Sequence, residues 1–207
     1  MAADPAVVPG GEAVGAAQPA GGADDGSGAA EPASDGDQPD GPTVSGIDET
    51  AAGFAELPRL VDLARTTLLG EGVSTGHLDL VAVDVDDMGA LNAEHMGHDG
   101  PTDVLSFPLD ADLALDADRG DREGAGVDGP PLHLGDVVLC PEVARAQAPD
   151  HCGTEEAEFA LLVIHGVLHV LGHDHALDDE RDRMWARERH HLDRLGHRHP
   201  EEANGSW

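Results

Sequence analysis

The chain contains no lysine and no tyrosine, and aromatic residues make up only 2% of it. All 11 basic residues are therefore Arg, set against 42 acids, and the net charge is −31 with His neutral. So acidic a surface repels nucleic acids, membranes and other anions, a prior that any RNA- or DNA-binding function has to overcome. With few aromatics, the core has to be aliphatic. Cysteine is scarce as well: Cys140 and Cys152 stand apart without CxxC spacing. That excludes a disulfide framework and favours a reducing, cytoplasmic compartment. Cys140 ends an apolar run and is expected as a buried free thiol. The N-terminus lacks the basic and apolar stretches of a secretory signal. The longest apolar run, Phe159 to Ile164, is far too short to cross a bilayer.

What is present divides the chain. Residues 1–45 are Ala, Gly, Pro and Asp with almost no large apolar side chain, and are expected to form a disordered acidic tail. Ten acids and no Arg lie in residues 1–50, leaving −21 for residues 51–207. Residues 46–196 read as one domain, with order beginning near Phe54, and 197–207 as a flexible C-terminal tail. Leu57, Leu60, Val61, Ala64 and Leu68 recur at helical spacing, stopped by Gly70 and Gly72. LDLVAVDV (78–85) alternates as a strand. Asp86 and Asp87 cap a short helix through Leu91, and Asp103–Phe107 forms another strand closed by Pro108. Residues 110–131 make an Asp/Gly-rich surface loop. A strand follows over 132–140, and Pro141 suits the first turn of the next short helix. Thr154 and the acids after it open a long helix running to Leu171, with Gly172 as its cap. A last helix spans roughly 178–195. The expected class is α+β, a small mixed β-sheet packed with helices.

The chemistry sits in HGVLHVLGHDH, residues 165–175. The second half of its helix is apolar on nearly every side, which is the pattern of a buried helix. His165 and His169 are four apart, on one face and about 6 Å apart along the axis. Two imidazoles so placed can share an ion at about 2.0–2.1 Å each. Gly172 lets the chain reverse and return His175 to the same face. Three neutral nitrogens with a fourth position open is the catalytic form of a zinc site. A His₃ set also accommodates nickel, copper or iron. His173 is the spare, expected at the surface, and Asp174 either orients a ligand or handles protons. The spacing coincides with that of metzincin proteases, whose general base is a Glu directly after the first His. Here that residue is Gly166, which disfavours peptide hydrolysis. His190, His191, His197 and His199 read as a solvated tail.

Three segments resemble the YbeY family of bacterial rRNA maturation factors: HGVLHVLGHDH (165–175), LNAEHMGHDGPTDVLSFP (91–108) and LGDVVLCPEVA (134–144). The first is close to the family's H-G-x-L-H-L-x-G-Y-D-H, the second to its P-T-D-V-L-S-F-P stretch, and the third to its G-D-I strand. The resemblance extends over residues 45–195. It implies a zinc-dependent single-strand endoribonuclease with one Zn²⁺ per chain on His165, His169 and His175. The implied role is rRNA processing, including small-subunit rRNA 3′-end maturation, and ribosome quality control. Implied partners are precursor rRNA, the ribosomal small subunit, ribosomal proteins or an assembly GTPase, with no membrane and no DNA. Two positions depart from the family pattern. Met96 stands where many members have an Arg implicated in activity, and His173 stands where they have Tyr.

Transition-state charge on a phosphodiester calls for Arg, Lys or N–H donors. The candidates are Arg59, Arg65 and Arg145, or the amides around Thr102–Ser106. Thr102 and Ser106 could bond substrate or cap turns, and Asp136 lines the cleft or caps a bend. Two alternatives stay open: a non-catalytic zinc-containing ribosome-assembly factor, and a zinc hydrolase of another substrate.

Overall fold

Alternation in the segment after Gly76 produces β3 (His77–Ala82), with Leu78, Leu80 and Ala82 buried and the residues between them half-exposed. The computed structural model describes residues 41–109 and 132–200, together with the backbone of Ala6–Val7. Most of the expected N-terminal tail, the expected loop 110–131 and residues 201–207 therefore lie outside the described residues. Strands β1 (Ala6–Val7), β2 (Thr43–Asp48), β3, β4 (Val104–Pro108) and β5 (His133–Leu139) form one sheet in the order β1-β4-β5-β3-β2. β4 and β5 pair antiparallel and the other pairs are parallel. The sheet is mixed, and the class is α+β.

β2 corrects the expectation that order begins near Phe54. TVSGID carries only Val44 and Ile47 as large apolar residues, interrupted by Ser and Gly, so its pattern reads as tail. Pairing along the whole length of β3 makes it a strand at the sheet edge. Gly46 lets α1 (Leu57–Gly70) come close, since a Cβ there would lie 2.7 Å from Val61 Cγ2.

Two layers of helix sandwich the sheet unequally. α1 and α4 (Glu155–Val170) cover one face with Leu60, Leu68, Phe159, Ile164 and Leu168, all essentially inaccessible. Burying each such side chain contributes about 1.5–3 kcal/mol. Thr154 caps α4 by accepting from the Ala157 amide at 3.2 Å, a contribution of about 1 kcal/mol. α2 (Val85–Met96) packs Met88, Leu91 and Met96 with Leu105, Val138 and Cys140 on the opposite face. It runs a turn beyond the expected Leu91, to Gly97 in the left-handed conformation, because Asn92 bonds the Gly100 carbonyl and holds the helix end. α3 (Pro141–Gln147) and a 3₁₀ turn (Ala148–Asp150) lead into α4, and α5 (Asp178–Leu195) packs on α4. Cys140 is buried and free, as expected. Among the described residues no helix is long and apolar enough to cross a membrane.

Candidate metal centre

α4 is buried over its whole length from Ala157 onward, so every polar atom on it needs a partner. His165 and His169 lie one helical turn apart with ring centroids 4.4 Å apart. Gly172, at φ +84°, turns the chain so that His175 closes the group at 5.5 and 4.9 Å from them. One ligand atom from each of the three lies within 4.8 Å of the others. All three Nε2 atoms are buried and have no hydrogen-bond partner. Orphaned nitrogens of this kind are costly unless something accepts their lone pairs. As a donor set they suit a metal ion.

The opposite ring nitrogens of His165 and His169 are held. Glu188 on α5 accepts the His165 Nδ1–H at 2.6 Å, and its other oxygen accepts from His199 Nε2 at 2.8 Å. Burial alone would raise the Glu188 carboxyl, but hydrogen bonds from His165 and His199 outweigh it and hold it down to about 2. An ionised Glu188 can only accept, which directs the His165 Nε2 lone pair into the cluster. The His169 Nδ1–H donates to the His173 carbonyl at 2.8 Å. Burial, then the neighbouring charges of His165 and His175, lowers the His169 imidazole to about 2, so it is neutral.

Gly166 explains why no glutamate could serve beside the first histidine. A Cβ there would lie 2.6 Å from Val137 Cγ1 and 3.2 Å from Ser106 Oγ. That position faces the sheet, leaving no room for a longer side chain. Ser106 is buried and donates to the Gly166 carbonyl at 3.2 Å, so it braces the helix. Thr102, also buried, donates to Asp103.

Other expectations are corrected. His191 and His199 are not part of a solvated tail; both are about 4% exposed. His191 pairs with Glu71 at 2.8 Å and His199 with Glu188, contacts between segments that no local composition reveals. Arg59 pairs with Glu156, and Arg145 with Glu56 and Glu155 while lying over the Phe54 and Phe159 rings. Both are at the start of α4, some 15 Å along the helix from His165 at about 1.5 Å per residue. Arg65 bonds the Pro42 carbonyl. Asp136 lies on the sheet face opposite to Val137 and α4, where it pairs with His133 at 3.1 Å. Asp174 is exposed and accepts from the His175 amide. The His173 ring points to Glu71 at 3.7 Å, away from the three nitrogens. Met96 packs into the apolar cluster of α2.

Glu188 and His199 escaped the sequence reading. One signal was available for Glu188: it occupies the buried register of α5 shared by Met184, His191 and Leu192. An acid on an apolar stripe needs a partner.

Comparison with known proteins follows the same residues. The family model described as Endoribonuclease YbeY matches residues 56–196. The chain belongs to the YbeY family. Within that family, a Salinispora tropica endoribonuclease YbeY is 46% identical over 125 residues, covering 60% of this chain and 78% of the relative. The Acidothermus cellulolyticus YbeY is 42% identical over 145 residues, covering 70% and 85%. A Thermotoga maritima protein of known solution structure aligns with a TM-score of 0.46 at 24% identity, over 73% of this chain and 89% of that one. The YbeY match contains all three histidines, Glu188 and Met96, while His199 lies beyond it.

Proposed function

We propose that the protein is a zinc-dependent, single-strand-specific endoribonuclease of rRNA processing, including small-subunit rRNA 3′-end maturation and ribosome quality control. In this reading it works in the cytoplasm on precursor rRNA of the small subunit, alongside ribosomal proteins or an assembly GTPase. The observation that carries the metal assignment is the convergence of three buried, unpartnered Nε2 atoms of His165, His169 and His175. Membership of the YbeY family supports the choice of substrate.

A zinc ion held by neutral imidazoles supplies Lewis acidity and lowers the pKa of water to about 7. The chain's own residues do the rest. Glu188 and the His173 carbonyl fix the orientation of two ligand rings, and Gly166 lets α4 press against the sheet. Arg59 and Arg145 are engaged at the start of α4, so cations of α5 are the candidates for holding the RNA chain away from the metal site. A cleft of about 550 Å³ beside the His173 loop is lined by Arg183, Arg187, His190 and Glu71. Arg183 is exposed there and suited to a phosphate contact. Arg187 is paired with Glu71, so Arg183 is the contact that offsets part of the repulsion expected from the overall charge.

The test compares wild type with the His165→Ala/His169→Ala variant for bound metal and for cleavage of precursor rRNA. The variant is expected to lose both. Metal lost with cleavage unchanged would overturn the enzymatic reading. No cleavage by either protein, with ribosome assembly still dependent on them, would favour a non-catalytic assembly factor.

A further inference from the structure

Among the described residues, four histidine nitrogens are buried without a well-aligned hydrogen bond, and one of them, His133 Nε2, faces carboxylate oxygens of Asp136 and Asp79 instead. Three belong to the cluster on α4 and its following loop. The fourth, His133 Nε2, is on the other face of the sheet. We infer that Asp79, His133 and Asp136 hold a second divalent transition-metal ion, independent of the α4 site.

A bulge builds the site. His133 pairs with His77 and Gly135 with Leu78, so Leu134 is the extra residue. Gly135, at φ +145°, permits this; a Cβ there would lie 2.3 Å from the Phe107 carbonyl oxygen. The bulge puts His133 and Asp136 on the same face, where regular alternation would have separated them. They then stand beside His77 and Asp79 of β3.

The geometry suits an ion. His133 Nε2 lies 3.1 Å from Asp136 Oδ1 and 3.6 Å from Asp79 Oδ2. Ligands about 2.1 Å from one ion stand roughly 3–3.5 Å from one another. Asp79 is also held in place. Its Oδ1 accepts the His77 Nε2–H at 2.9 Å, which Ser45 Oγ also approaches at 3.1 Å. His77 Nδ1 in turn accepts from the Thr43 hydroxyl at 2.8 Å. This chain leaves Asp79 Oδ2 aimed at His133, with His77 as a positioning residue.

Two carboxylates with one imidazole suit Mn²⁺, Co²⁺ or Zn²⁺. The His133 and Asp136 side chains are 37% and 35% exposed, so solvent completes the coordination and the ion exchanges more readily than one on α4. A third group, His151, Cys152 and Glu158, also has clustered ligand atoms. There Glu158 already accepts from Gln147, from the His151 ring and from the Cys152 amide. Burial pushes the Cys152 thiol well up, so it is a poor ligand.

The experiment uses the full chain carrying His165→Ala and His169→Ala, titrated with Mn²⁺, Co²⁺ and Zn²⁺ by equilibrium dialysis. One ion per chain is expected to bind saturably in the micromolar range for at least one metal. Adding Asp79→Asn and His133→Gln is expected to weaken it at least about tenfold, with an unchanged far-ultraviolet circular dichroism spectrum. Absence of saturable binding, or binding undiminished by the added substitutions, would overturn the assignment. Should those variants misfold, Co²⁺ added to the wild-type chain serves instead. It must broaden the His77 and His133 ring proton resonances as well as those of the α4 cluster, and unperturbed His77 and His133 signals would overturn the site.

Discussion

The two ends of α4 each carry a cluster of potential metal ligands, His151, Cys152 and Glu158 at its start and three histidines toward its end, in opposite condition. At its start, Glu158 is fully buried and its oxygens are occupied by His151, Gln147 and the Cys152 amide. Toward its end, His165, His169 and His175 each keep one buried nitrogen unpartnered. A fully satisfied polar group of this kind fastens elements together. A group satisfied on one side, with its remaining lone pairs aimed at a common point, is set up to receive a ligand. Burial alone does not separate the two cases; the hydrogen-bond inventory does.

The sharpest attack on this contrast is Glu158→Ala. It strips partners from Gln147, His151 and the Cys152 amide, and on the order of 3 kcal/mol of stability should be lost. Metal bound per folded chain should not change, as urea denaturation and metal analysis would register. Loss of the ion from a protein that stays folded would mean that the two ends of α4 are not distinct.

Glu188→Gln addresses the other end. It keeps the shape but weakens the hold on His165, and metal affinity should fall about 10–100-fold in a chelator competition. Unaltered affinity would show that packing alone orients His165. Gly166→Ala is expected to cost about 1 kcal/mol or somewhat more, because the methyl meets Val137 Cγ1 at 2.6 Å. Calorimetry checks this, and an unchanged melting temperature would mean that the sheet yields at Val137.

The smallest effect is a slope in acid. Burial would raise the Glu71 carboxyl, but hydrogen bonds with His173 and His191 and the charge of Arg187 bring it well below its ordinary 4.5. The unfolded chain therefore takes up the proton first. Glu71's contribution is complete above about pH 4.5 and disappears as the pH falls below it. Denaturation of Glu71→Gln at a series of pH values should show a shallower acid dependence than wild type. Equal slopes would remove Glu71 as a clamp between α1 and α5.

Much of the site was legible because its spacing is local. A spacing of four from His165 to His169 and a Gly before His175 are enough to bring three rings together. The base missing at Gly166 was visible too, although its reason, contact with Val137 and Ser106, was not. β2 was missed because a short edge strand broken by Ser and Gly becomes one only by pairing with β3. The ion pairs of Arg59 and Arg145 were not legible because their partners are set by helix packing.

Composition and periodicity by themselves determined the aliphatic core, the α+β class and the three-histidine cluster, since each depends on residues close in sequence. Only tertiary structure decided which nitrogens of that cluster stay unpartnered. Glu188 reaches His165 from 23 residues away through packing of α5 on α4, and His199 in turn bonds Glu188. Likewise only the bulge at Leu134–Gly135 puts His133 and Asp136 on the same face of the sheet. A buried polar group is defined by what it touches, and those contacts are non-local.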